Sequence, residues 1–67
     1  MSYYEIRGLI LELLNKYGEI DTSFLQWYLL PTVSRQDTRS TYIHMAADHE
    51  IIIETDFTIR LAERNHA

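Results

Sequence analysis

A chain of 67 residues has room for one small domain, and without cysteine it has no disulfide to brace that domain and none of the commonest zinc sites. With 46% hydrophobic and 24% charged residues, two glycines and one proline, its composition excludes a disordered protein. A net charge of −4 and a pI near 5.1 argue against a strong nonspecific grip on nucleic acid, and self-association becomes the expected support for a thin core.

The apolar residues Ile6, Leu9, Ile10, Leu13, Leu14 and Tyr17 recur at intervals of three and four, which predicts an amphipathic helix from Ser2 to Tyr17. Ser2 and Glu5 form a capping-box pair at its start, and Gly18 supplies the left-handed residue that closes it. Glu19 and Ile20 then make a two-residue strand. Asp21 or Thr22 caps a second helix, Ser23 to Leu30, with Leu25 and Leu29 inward and Pro31 as its stop. After a turn over Pro31 to Val33, Ser34 and Asp37 repeat the capping pattern. They open a third helix reaching about Ala47, with Thr38, Tyr42 and Met45 on its inner face.

Beyond Asp48 to Glu50 the period changes. Ile51 to Ile53 and Thr58 to Leu61 read as two short strands around a tight turn at Glu54 to Phe57, and Glu63 to Ala67 as a frayed tail. The expected fold is α+β, three helices followed by a two-stranded hairpin, as one domain over residues 1–67. The longest uncharged stretch, Thr22 to Ser34, is 13 residues and contains Pro31, too short to span a bilayer. Glu5 and Glu12 interrupt the first apolar run and no basic leader precedes it, so no secretory signal is expected and the cytoplasm is the expected location.

This order of elements resembles the winged helix-turn-helix domains of many bacterial and viral regulators, over residues from about 3 to 62. The local pattern of the family, a helix opening on serine and leading through a glycine into an isoleucine-rich strand, falls here on Ser34, on Thr38, Tyr42 and Met45, on His49 and on Ile51 to Ile53. The chain departs from it in carrying His49 for the glycine, a slightly long turn between Leu29 and Ser34, and an acidic wing tip at Glu54, Thr55, Asp56 and Phe57. The resemblance implies a small DNA-binding transcriptional regulator that reads the major groove with residues of its third helix. The implied DNA contacts are Ser34, Arg35, Gln36, Thr38, Arg39, Ser40 and Tyr42, with Thr41 beside Ser40 reaching phosphate and Arg60 or Arg64 backing the helix from the hairpin.

Large apolar residues exceed what the core needs. Tyr4 and Leu11 on the first helix, with Phe24, Trp27 and Tyr28 on the second, predict a partner interface, of which a homodimer contact through the first helix, with Trp27 nearby, is the preferred form. The competing reading is an acidic interaction module of the same fold, for example a phage or mobile-element protein that binds and modulates a host protein. His44, Asp48 and His49 lie close enough in sequence to suggest a metal site, but without a fourth ligand they read better as surface and turn residues. No nucleophile elbow, glycine-rich phosphate loop or paired catalytic carboxylates occur, so neither an enzyme nor a cofactor is expected.

Overall fold

The computed structural model describes residues 1–62, and the tail from Glu63 onward, with Arg64, lies outside the described residues. The chain runs α1 (Tyr3–Tyr17), β1 (Glu19–Asp21), α2 (Thr22–Leu29), α3 (Arg35–Ala47), β2 (Ile51–Ile53) and β3 (Thr58–Leu61). The architecture is α+β, three helices with a small antiparallel sheet.

Local chemistry sets most of the boundaries. The Ser2 backbone N–H donates to Glu5 Oε1 at 2.9 Å and the Glu5 N–H donates to Ser2 Oγ at 3.3 Å, a complete capping box that opens α1. Gly18, at φ +84°, closes it by donating its N–H to the Leu14 carbonyl at 2.8 Å. Asp21 caps α2 by accepting from the Ser23 N–H at 2.7 Å, and Ser34 caps α3 by accepting from the Asp37 N–H at 3.1 Å. Between these two helices the Val33 N–H reaches the Leu29 carbonyl at 2.7 Å, and the buried Val33 side chain anchors the turn in the core. At the far end of α3, His49 adopts φ +62° while its N–H bonds Ala46 and that of Glu50 bonds Met45. This is a Schellman closure with histidine where glycine is usual.

The sheet is larger than a hairpin. β1 pairs with β3 as well, through Glu19↔Arg60, Ile20↔Ile59 and Asp21↔Thr58, so the strand order is β1-β3-β2 with β3 in the middle. Glu19 and Ile20 are too few residues to announce a partner, which emerges only when β3 supplies one. The pleat sends Ile20, Ile51 and Ile59 into a core shared with Ile6, Ile10, Leu13 and Leu14 of α1, Leu25 and Leu29 of α2 and Met45 of α3. Tyr17, expected on the apolar stripe, is instead exposed, because α1 ends there and its ring lies edge-on to Phe24 at 6.3 Å.

Candidate functional site

Thirteen residues on α3 turn nearly four times, and its sides meet different neighbours. On one side Arg35, Gln36 and Arg39 line an open groove of about 500 Å³ with Gln26 of α2, the Tyr42 hydroxyl and Phe57 of the hairpin turn. On the other, Asp37, Ser40 and His44 face the start of α1. The amide of Gln26 donates to the Tyr42 hydroxyl at 3.1 Å, which fixes the groove floor.

Charge is sorted in the same way. Arg7 is bound by Glu50, Arg60 Nε donates to Glu54 Oε1 at 2.9 Å, and Lys16 sits 5.3 Å from the Tyr17 ring. Arg35 and Arg39 form no ion pair among the described residues, so the two unneutralised guanidinium groups share one groove. Ser34, immediately before them, uses its hydroxyl as the helix cap.

Several sequence expectations are corrected. Thr38, a DNA contact on the implied recognition helix, is 0% exposed and cannot meet any partner outside the core. Tyr42 is buried too, at 7% exposure, and its hydroxyl is engaged by the Gln26 amide. Thr41 is buried with its hydroxyl donating to the Asp37 carbonyl at 2.8 Å, so it reaches no phosphate. Thr38 and Tyr42 were expected on the inner face as well, and that placement holds; Thr41 joins them there. Ser40 is exposed but lies on the side away from Arg35 and Arg39. Arg60 stands opposite Glu19 and Ile52 on the outer face of the sheet and is already held by Glu54.

The expected partner surface divides in a similar way. Phe24 is within 6.2 Å of the Trp27 ring and 5.7 Å of the Tyr28 ring, and with Tyr17 and Leu30 these form one exposed aromatic face on α2. Trp27 is 66% exposed. Tyr4 belongs elsewhere, edge-on to Tyr3 at 5.3 Å near the start of α1, and Leu11 is half-buried against the core. Along α2, Gln26 and the Phe24 and Tyr28 pair lie two positions apart, about 160° around the axis, so the aromatic face and the arginine groove do not compete.

A second polar cluster sits where α1 meets the end of α3. Tyr3 stacks on His44 at 4.7 Å, and His44 Nε2 lies 3.2 Å from Asp48 Oδ2. Burial raises the pKa of the Tyr3 hydroxyl, and the nearby carboxylates of Glu50 and Asp48 raise it further. The hydrogen bond from Arg7 to Glu50 holds that guanidinium above its ordinary value. Among the described residues no group of three His, Cys, Asp or Glu is arranged to hold a metal ion, and no helix is long and apolar enough to cross a membrane.

Gln26 and Phe57 join the groove without a signal in the sequence, the first on a helix whose aromatics dominate its pattern and the second in an acidic turn. No protein-family model, no curated protein and no solved structure matches the chain.

Proposed function

We propose that the chain is a winged helix-turn-helix domain that binds double-stranded DNA through the N-terminal half of α3 and regulates transcription by occupying its site. The observation that carries this reading is the pair of unneutralised guanidinium groups, Arg35 and Arg39, sharing a groove with the amides of Gln36 and Gln26. Guanidinium and amide forks are the groups that address guanine and adenine edges in the major groove. Asp37, the acid closest in sequence, faces the opposite side of α3. An acidic molecule therefore presents a basic groove. The strand order β1-β3-β2 behind a helix, turn and helix also supports the winged assignment, with residues 54–57 as the wing tip.

Two free arginines hold DNA weakly, and a homodimer doubles them. The aromatic face of α2 offers on the order of 500 Å² of apolar area from rings of roughly 150–250 Å² each, most of the ~800 Å² that each partner of a stable pair contributes. Its α2 part carries no charge, since Thr22–Leu29 contains none, and the one cation beside it is Lys16 at the Tyr17 ring, so no carboxylate of a chain of net charge −4 stands within that helix to repel a second copy. To read DNA as a dimer, such a pair has to hold its two α3 helices about one DNA turn apart, roughly 34 Å.

The test is binding to random-sequence duplex DNA at low and moderate salt. Each arginine that meets a phosphate contributes close to one unit to the salt slope. Arg39→Ala is expected to cost about 1–3 kcal/mol of specific binding if Arg39 reads a base. Absence of binding at low salt, where phosphate attraction is strongest, would favour a second reading. In that reading the aromatic face docks another protein and the fold serves as an interaction module.

A further inference from the structure

Phe57 occupies a backbone position that suits almost any other use poorly. Its N–H donates to the Glu54 carbonyl at 2.9 Å and the Glu54 N–H donates to the Thr58 carbonyl at 2.8 Å, closing a short hairpin turn whose last residue stands at φ +66°. In hairpins of this kind glycine ordinarily fills the left-handed place, because a Cβ there crowds the backbone. Its own carbonyl is fixed by the Thr22 N–H at 3.0 Å, so the strained conformation is clamped from both sides. The side chain returns little to the fold in exchange, being 66% exposed.

Its position explains what the fold does not. Phe57 lines the same groove as Arg35, Gln36 and Arg39. The acidic residues beside it are engaged: Glu54 accepts from Arg60 at 2.9 Å, and Asp56 accepts from the Thr58 N–H at 3.1 Å. The turn thus offers the groove a phenyl ring, with its two carboxylates tied back.

We infer that Phe57 is the apolar arm of a base-reading site and packs against the C5-methyl group of a thymine, while Gln36 addresses an adenine edge nearby, so that the groove selects A·T pairs. This rests on the DNA reading above and extends it to the ligand. The thymine methyl is the one apolar group displayed on the major-groove floor, and a phenyl ring is its chemical match. A wedge driven between base steps from the minor groove would have to stand apart from α3. Phe57 instead shares a groove with the α3 residues.

The experiment begins with a duplex selected by the wild-type protein from a randomised pool, then remade with deoxyuridine in place of each thymine in turn, which removes the methyl group alone. Loss of one buried methyl contact is worth about fourfold in affinity. At one position the wild type should bind the uracil duplex about fourfold more weakly. Phe57→Gly and Phe57→Asn should bind thymine and uracil duplexes equally, both near the weaker value. Phe57→Gly should at the same time melt at a higher temperature than the wild type, since it relaxes the turn, and Phe57→Asn, which tolerates the left-handed region, provides a second folded variant. Indifference of the wild type to uracil at every position, or full affinity in both variants, would overturn the thymine contact while leaving DNA binding intact. A pool that yields no duplex at all would overturn the DNA reading and this contact with it.

Discussion

Arg7 Nε donates to both carboxylate oxygens of Glu50, at 2.6 and 3.1 Å, joining the first turns of α1 to the residue that leads into β2. The pair spans 43 positions of sequence and is half-buried, with side chains 35% and 23% exposed. A forked, charge-assisted bond outperforms an open surface pair, though water still screens it at this exposure. Arg7→Gln is therefore expected to lower stability slightly, read as an earlier urea midpoint. An unchanged midpoint would show that the pair contributes nothing.

Thr38 offers a gain of the opposite sign. Its hydroxyl is fully buried and has no hydrogen-bond partner among the described residues, whereas Thr41, three residues on, donates to the carbonyl four residues behind it. Valine has the same shape without the unpaired polar group, so Thr38→Val is expected to raise stability by about 1 kcal/mol. On the proposed DNA-binding reading it should leave that affinity untouched, because the buried residue cannot meet a ligand. A loss of DNA affinity in this variant would restore Thr38 to the interface.

Gly8 lies in the middle of α1, exposed, and a Cβ built on it would meet nothing within 4 Å. Gly8→Ala should stabilise the chain by roughly 0.5–1 kcal/mol through helix propensity alone. A drop in melting temperature would mean that some partner, such as a second copy, approaches α1 at that point.

Acid should loosen both the start of α1 and the hairpin turn. The Ser2 backbone hydrogen bond, and then its hydroxyl, hold Glu5 below the usual carboxylate range, and hydrogen bonds from the Thr58 side chain and backbone do the same for Asp56. A carboxyl whose folded pKa is depressed stabilises the fold above its unfolded value of about 4. That contribution is lost as pH falls through the lower folded value. Glu5→Gln with Asp56→Asn keeps both acceptors without the titration, so its stability should fall less than that of the wild type between about pH 5 and pH 2. Parallel curves would assign the acid response to other groups.

Trp27→Glu sets a charge on the aromatic face. If two copies pair there, sedimentation should shift from dimer to monomer while the far-ultraviolet spectrum is unchanged, and the salt slope of DNA binding should fall with the lost second groove. An identical sedimentation profile would remove this face from any self-contact.

Features written in neighbouring residues were legible in the sequence. The Ser2 and Glu5 box, the Ser34 cap, the Gly18 closure and, to within one residue, the Asp21 cap all depend on residues within a turn of one another, and each carries its own chemical signature, whereas the left-handed place of His49 followed only from the family pattern. What depended on distant partners was not. The groove on α3 is one side of a cylinder, and choosing that side required knowing that Asp37 faces α1 while Arg35 and Arg39 face Phe57. Thr38 and Tyr42 matched both a core pattern and a contact pattern, and only packing separated the two. Phe57 carried no signal, since no pattern places a phenylalanine where glycine belongs.

The middle place of β3 has a consequence for how the molecule comes into being. β1 emerges from the ribosome early and β2 much later, yet neither bonds the other, and both wait for residues 58–61. Until that segment is out, every N–H and C=O of the two outer strands must be satisfied by water, and Ile20 and Ile51 lack the inner wall that Ile59 provides. Helices can form as they appear, but the sheet cannot be assembled in the order of synthesis. The fold should therefore snap shut in one late step, and a nascent chain halted before Thr58 would be open and sensitive to protease.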